Sequence, residues 1–143
     1  MPTLTMANSA IMIAVPGLID APVQLQGYAM DEVLDTEEVT TAEIQMGVDG
    51  NLSAGWVPTA TVQRYVLQGD SASVSLFETW DQAQKAQRDL FFADGVLSLP
   101  SLGTVYSMTK GVLTGLMRAP SAGKIIKPRR FTLTWQSVDP AGL

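Results

Sequence analysis

The sequence predicts a mainly β protein, an α+β arrangement in which a β-sandwich or small barrel carries one flanking α-helix. Seven or eight segments have the composition or the alternation of strands, and turn signals such as Asp49-Gly50 lie between them. Only the stretch that begins near residue 73 has the three-to-four spacing of one helical face. A doubly wound α/β fold needs several more helices than this chain contains, so we exclude it.

Length and composition limit the function classes. A chain of 143 residues fits one domain, spanning 1–143, with a single core. The chain contains neither cysteine nor histidine, which excludes disulfides, Ser-His-Asp and Cys-His catalysis, and zinc sites with the usual ligands. Glycine-rich phosphate loops and calcium loops are not found either, so we expect no cofactor and no metal.

The first third of the chain begins with a small polar leader, residues 1–9, that we expect to be mobile until it meets a partner. Residues 10–15 predict a buried strand closed by Pro16-Gly17, and residues 22–28 predict a half-buried strand. The acidic stretch 29–36 predicts a loop. No lysine or arginine precedes Arg64, and the apolar run 11–19 is too short to span a bilayer, so we expect cytoplasmic synthesis without membrane insertion.

Residues 37–57 predict a long hairpin, because Asp49-Gly50-Asn51 is a strong turn signal between two alternating segments. One face of its first strand is polar and includes Glu43 and Gln45. The other face is weakly apolar, with small residues. This pattern suits a ribbon that lies against neighbouring molecules, although an ordinary hairpin with one wet face looks similar.

The middle of the chain predicts a strand at 61–68 followed by the helix. Val74, Phe77 and Trp80 form the apolar face of the helix, and burial of the two aromatic residues, at about 2 kcal/mol or more each, requires a sheet beneath them.

The start of this helix is marked by several residues that can accept hydrogen bonds from free amides. Asp70, Ser71 and Ser73 are all candidate N-caps, and Ser75-x-x-Glu78 matches a capping box further in. Asp81 and Lys85 are spaced to form an i,i+4 ion pair worth roughly 0.3 kcal/mol.

Three further strands are predicted after the helix, giving seven or eight in total. Residues 96–99 follow a turn, and 106–117 carry Gly111 and Gly115, which suggest a bulge. After a flexible loop at 119–123, residues 131–138 show the clearest period-two alternation in the chain, with Trp135 in the core.

Charge is distributed unevenly along the chain, whose net charge is −5. Residues 1–63 hold acids and no base, whereas the C-terminal third is basic. A predicted inter-subunit basic patch consists of Lys124, Lys127, Arg129 and Arg130. The two halves could pair within one copy, or the acidic face of one copy could meet the basic face of the next.

The order of these elements resembles the tail-tube family of bacteriophages and contractile injection systems. The matching segments are the turn 46–51, the strand 62–67, the helix region 70–88 and the strand 128–137, which begins with basic residues. The resemblance is one of pattern and element order and covers about two thirds of the chain, from residue 37 to residue 138.

This resemblance implies a virion structural protein in a contractile tail, a tube-fold subunit of the tail tube or of the ring that joins tube to baseplate. Copies would form homo-oligomeric, six-fold rings with tube, sheath or baseplate proteins as partners, in the host cytoplasm during assembly and then in the virion tail. The hairpin would line the lumen through which DNA passes, and Glu43, Gln45, Asp49, Gly50 and Asn51 would be its ring-forming residues. An acidic lumen would not bind DNA, because both carry negative charge.

Two alternatives belong to other function classes. A β-barrel module for a small ligand requires a cavity lined by methionine and aromatic side chains. A hydrolase would use carboxylates such as Glu37, Glu38 or Glu43, but the sequence offers them no partner that would raise a pKa. Sequence-specific nucleic-acid binding is disfavoured by the acidic total and by the lack of an aromatic platform.

Overall fold

Nine strands and one α-helix occupy the part of the chain that the structure, a computed structural model, describes: residues 9–25 and 34–142. In chain order they are β1 (Ala10–Val15), β2 (Ile19–Gln24), β3 (Leu34–Thr36), β4 (Ala42–Met46), β5 (Leu52–Trp56), β6 (Thr61–Leu67), α1 (Val74–Gln87), β7 (Ala93–Leu99), β8 (Thr104–Leu116) and β9 (Arg129–Gly142). A single 3₁₀ turn, Pro100–Leu102, separates β7 from β8. The mainly β class with one helix is confirmed.

Seven of the strands form one antiparallel sheet in the order β2-β1-β7-β8-β9-β6-β3. The two longest strands, β8 and β9, lie at its centre and pair along most of their length. The remaining strands, β4 and β5, form a separate two-stranded sheet. In the described residues, no helix has both the length and the apolar character needed to cross a membrane.

Strand alternation places one side of the sheet in the core. Ile11, Ile13 and Val15 of β1 are fully buried, as are Phe131, Leu133 and Trp135 of β9. The residues between them are more exposed, which is the period-two pattern of a strand with one covered face. The alternation that predicted β9 therefore reports the covered face of the sheet, whereas β1, which was predicted as a wholly buried strand, has only alternate residues buried.

The Trp135 side chain lies against glycines on two neighbouring strands. A Cβ added to Gly111 of β8 would lie 2.5 Å from Trp135 Cζ3, and one added to Gly95 of β7 would lie 2.8 Å from its Cη2. The pairing of β7 with β8 is irregular here, and Lys110 takes a left-handed conformation with φ of 49°. A second irregularity lies before Gly115, so the predicted bulge in this strand is present.

We expect Gly111→Ala to lower the free energy of unfolding by about 1–3 kcal/mol, because the added methyl group overlaps a fully buried indole ring. Gly115→Ala is the matched control in the same strand, since its Cβ would meet Thr132 Cβ at an ordinary 3.5 Å. Urea denaturation of both variants measures the difference. Equal stability of the two would show that the indole moves aside without cost.

The helix α1 packs on the sheet through its aromatic residues. The Phe77 ring stacks on Phe131 with 4.3 Å between centroids, and Trp80 Nε1 donates a hydrogen bond to the Phe91 carbonyl at 3.0 Å. Val74, Phe77 and Trp80, the expected anchors, are all buried. The helix is thus held mainly by its first half, since residues 85–87 are exposed.

Two expectations about the helix are wrong. The N-cap position is Ser73, one of the three candidates, although it makes no side-chain capping bond, and Ser71 Oγ accepts a hydrogen bond from Ser73 N at 3.2 Å. The expected capping box does not form, because Ser75 Oγ donates to the Ala72 carbonyl. Asp81 is buried and pairs with Arg118 rather than Lys85, with 3.0 Å between Arg118 Nε and Asp81 Oδ2. This hydrogen bond raises the pKa of Arg118. Asp81 thus pairs with Arg118, which is distant in the chain, and the local i,i+4 spacing does not reveal this partner.

Predictions for residues 1–36 differ in their outcome. The strand at 10–15 is β1, but the next strand begins earlier than predicted and spans Ile19–Gln24. Part of the predicted loop at 29–36 is the short strand β3, because Leu34–Thr36 pairs with β6. The leader up to residue 8, the end of the predicted strand at 26–28, and residues 29–33 of the loop lie outside the described residues.

Candidate functional site

The candidate site is residues 37–57, which we call the arm. Its strands β4 and β5 pair with each other over five residue pairs, from Ala42 opposite Trp56 to Met46 opposite Leu52. Among the described residues they pair with no other strand. Every residue of both strands is exposed. The predicted hairpin is therefore present, and it stands out from the sheet instead of covering it.

The tip of the arm is a tight turn built by Gly47, Asp49, Gly50 and Asn51. Gly50 N donates to the Gly47 carbonyl at 3.0 Å, and Gly50 has a φ of 87° that favours glycine. Asp49 accepts hydrogen bonds from the backbone and side chain of Asn51, and these lower the pKa of Asp49. Asp49, Gly50 and Asn51 thus act together to fix the turn, whether or not they touch another molecule.

The two faces of the arm differ in chemistry. Hydrogen bonds from Val57 N to the Thr41 carbonyl and from Gly47 N to the Asn51 carbonyl mark hydrogen-bonded pairs at its two ends. Hydrogen-bonded and non-hydrogen-bonded pairs alternate along the hairpin. The side chains of the hydrogen-bonded pairs therefore lie on one face, and those of the other pairs lie on the opposite face. The pairs Glu43–Gly55 and Gln45–Ser53 make one face polar.

The other face is apolar and uncovered. It carries three pairs in sequence: Ala42–Trp56, Ile44–Ala54 and Met46–Leu52. Ile44 is 70% exposed and Trp56 is 79% exposed. Contiguous exposed apolar side chains mark interaction sites. Sequence reasoning described this face as weakly apolar, because it considered the first strand only, whereas Leu52 and Trp56 come from the second strand.

The outer edges of the arm are unpaired as well, as far as residues 9–25 and 34–142 are concerned. The residues of the apolar face are those of the non-hydrogen-bonded pairs, so their amides and carbonyls point away from the hairpin, to its two outer edges. No described strand pairs with either edge. Unpaired edges of this kind are templates for strands of other molecules.

The base of the arm is fixed to the start of β6. Glu37 N donates to the Val62 carbonyl at 2.9 Å, and the Glu37 side chain accepts from Arg64 at 2.7 Å. This hydrogen bond raises the pKa of Arg64, with a smaller contribution from Asp35 at 3.6 Å. Part of the acidic half is therefore paired within one copy.

The predicted basic patch divides into exposed and buried members. Lys124 and Lys127 lie in the loop between β8 and β9, residues 117–128, which we call the basic loop, and both are exposed, as is Arg130. Arg129, in contrast, is only 3% exposed. Its guanidinium donates to the Met117 carbonyl and lies 3.7 Å from Glu78 of the helix. Arg129 therefore belongs to the interior of the subunit, not to a surface patch.

The two alternative functions receive little support from the geometry. A ligand barrel needs free space among aromatic and methionine side chains, but Phe77 stacks on Phe131 and buried Met108 contacts the Tyr65 hydroxyl. Of the carboxylates proposed for a hydrolase, Glu37 is bound to Arg64 and Glu43 is exposed on β4. Within residues 9–25 and 34–142, no group of three or more acids is placed to hold a metal ion.

Comparison with known proteins gives one family and several similar folds. The profile of the family described as tail fiber protein gp32 matches residues 3–139. The fold is similar to a chain of the sheath/tube terminator of an extracellular contractile injection system, PVC, with a TM-score of 0.64, 14% identity and 99% of each chain covered.

Two further solved structures have similar folds at comparable identity. The tube-terminating cap of the anti-feeding prophage matches with a TM-score of 0.59 and 14% identity, over 100% of this chain and 95% of that one. A chain in the six-fold symmetrised baseplate of the same prophage matches with a TM-score of 0.56 and 12% identity, over 99% and 97%. No curated protein sequence matches. The tail-tube-like fold class is confirmed.

Proposed function

We propose, since the chain belongs to the tail fiber protein gp32 family, that it is a structural subunit of a contractile tail whose copies join into rings through their arms. Residues 1–143 then act as one tail-tube-like domain. The subunit would assemble in the host cytoplasm and reside in the virion tail. Tube, sheath or baseplate proteins are its expected partners, because chains of similar fold come from such assemblies.

The observation that carries this proposal is an arm with one uncovered apolar face and two edges that no strand of the described residues pairs with. In a ring, β5 of one copy would pair with β4 of the next. Each arm would then pair with the arms of both neighbouring copies, one at each edge. This is a heterologous contact, which closes into a ring when the rotation between copies is a fraction of a full turn. Six copies are the expected number, in line with the six-fold symmetry of the similar baseplate.

In such a ring the polar face of the arm would line the lumen. Glu43 and Gln45 lie on this face with Gly55 and Ser53 opposite them, so its paired strands present one acid per copy, an amide and small residues and no base. A negatively charged surface repels the phosphate backbone, and DNA would pass without being held. The apolar face would then turn outwards, towards protein.

A proline at Ala54 tests the edge pairing. Ala54 belongs to a non-hydrogen-bonded pair with Ile44, so its amide points to the outer edge of β5. Proline is tolerated at such an edge position but cannot donate to a neighbouring strand. We expect Ala54→Pro to leave the subunit folded, as judged by circular dichroism, and to abolish rings in native mass spectrometry and negative-stain microscopy.

The wild-type chain and Gln45→Thr are the controls. Gln45 was expected to be ring-forming, but it belongs to a hydrogen-bonded pair within the arm and offers no backbone group to the outer edges, so this variant is expected to form rings. Wild-type protein that stays monomeric at high concentration and with tail partners present would refute the ring proposal. Rings of unchanged stability with Ala54→Pro would show that copies join elsewhere than through this strand edge.

A further inference from the structure

The basic loop is another exposed apolar surface among the described residues, and it is preformed. Gly123 N donates to the Ile125 carbonyl at 3.0 Å and Lys127 N donates to the Ser121 carbonyl at 2.8 Å, so the loop closes on itself as a small hairpin. Ile126 also packs on Gly69, where an added Cβ would lie 2.5 Å from Ile126 Cγ2. Ile125 at 79% and Ile126 at 54% nevertheless remain exposed.

The charges of this loop are opposite to those of the arm. The arm carries four acids and no base; Glu37 is bound to Arg64 and Glu43 lies on the polar face, which leaves Glu38 at the base of the arm and Asp49 at its tip. The basic loop carries Arg118, Lys124 and Lys127 and no acid. Arg118 is bound to Asp81, which leaves the two lysines at the exposed isoleucines. Complementary charge at the rim of matched apolar surfaces steers association and selects the partner.

The arm and the basic loop lie at opposite ends of β6. The arm enters β6 at Thr61, with Glu37 bound to Val62, whereas the basic loop leads into the pairing of Arg129 with Leu67 at the other end. Six residue steps of a strand separate these ends by about 20 Å. Two complementary surfaces at opposite ends of one molecule meet only when a second copy supplies one of them, and their contact then repeats head to tail.

We propose that the apolar face of the arm docks on the basic loop of a neighbouring copy, with Ile44, Met46 and Trp56 covering Ile125 and Ile126. This inference rests on the proposed function, since it names the surface that receives the outward face of the ring-forming arm. The proposed occupant of the apolar face is a second copy of this chain, because the chain itself carries the complementary loop.

Single cysteines test the contact cleanly because the natural chain has none. Affinity-tagged Ile44→Cys and untagged Ile125→Cys, mixed under assembly conditions and treated with a short bismaleimide, are expected to give a mixed, tagged–untagged dimer. The control is Leu102→Cys, a residue that is also exposed but lies in the turn between β7 and β8. We expect several-fold more mixed dimer with Ile125→Cys than with Leu102→Cys. Ile126→Cys gives a second measurement at the same loop.

Native mass spectrometry of the same mixtures separates this inference from the ring proposal. If multimers form but Ile125→Cys cross-links no more than Leu102→Cys, or not at all, the docking inference is overturned and the ring proposal stands. If only monomers are found, both are overturned. Cross-linking of the arm to a different tail protein in assembled particles overturns the docking inference as well.

The charge complementarity has its own test. Combining Lys124→Glu with Lys127→Glu in the Ile125→Cys variant is expected to reduce the cross-linked yield several-fold at low salt. The difference should narrow at high salt, because exposed charges are screened. A yield that does not change at either salt concentration would overturn the assignment of this loop as the docking surface.

Discussion

Phe77→Ala is expected to lower the free energy of unfolding by about 3–5 kcal/mol, the largest stability effect that we predict for this chain. The Phe77 ring is fully buried and lies between Tyr65 and Trp80, with centroids 6.4 Å away in both cases, and against Phe131 at 4.3 Å. Alanine would remove the contact between α1 and the centre of the sheet. Two of the surrounding rings, those of Tyr65 and Phe131, belong to paired strands of the sheet and cannot close the cavity.

Phe77→Leu and Phe92→Ala are the controls for this prediction. Leucine keeps much of the apolar volume and is expected to cost clearly less than alanine. Phe92 is partly exposed beneath Lys110, so its truncation should cost about 1 kcal/mol or less. Urea denaturation provides all three values. A cost for Phe77→Ala no greater than that for Phe92→Ala would mean that the helix does not depend on its aromatic contacts.

The helix and the central strands could be predicted because one physical cause dominates each of them. Phe77 and Trp80 at helical spacing, and Phe131, Leu133 and Trp135 at strand spacing, must all enter the core, and burial of large apolar groups outweighs the other contributions. Periodicity in the sequence therefore translates directly into structure at these positions.

Features that depend on tertiary partners could not be predicted in the same way. Asp81 is spaced for a local pair with Lys85, yet it binds Arg118, which is 37 residues away in the chain. Arg129 was placed on the surface because of its charge, but its aliphatic stem and guanidinium are buried beneath Glu78 and the Phe131 ring. Gly111 was assigned to a bulge, but its second role, making room for Trp135, depends on the neighbouring strand.

The arm was predictable as a hairpin but only partly as a surface. Asp49-Gly50 marks the turn and thereby the register, which pairs Met46 with Leu52 and Ala42 with Trp56. Extending that register to the second strand would have shown a continuous apolar face. The exposure of this face could not be predicted, because it depends on β4 and β5 forming a sheet of their own that does not join the seven-stranded sheet.

Combining Ile44→Thr with Trp56→Thr is expected to abolish assembly while leaving the isolated subunit intact. Both side chains lie on the uncovered face of the arm, so their loss should change the free energy of unfolding by no more than about 0.5 kcal/mol. Threonine retains the preference for strand conformation. If both side chains are buried between copies, removing them costs about 4 kcal/mol per contact, or roughly a thousandfold in association.

The matched control places the same residue type on the opposite face. Gln45 and Ser53 form one cross-strand pair of the polar face, and their joint replacement by threonine is expected to leave assembly unchanged. Sedimentation velocity of the wild type and both double variants at equal concentration gives the comparison. Because the two variants differ only in the face they alter, equal assembly by both would remove the apolar face from the interface. Equal loss by both would mean that assembly depends on the overall conformation of the arm.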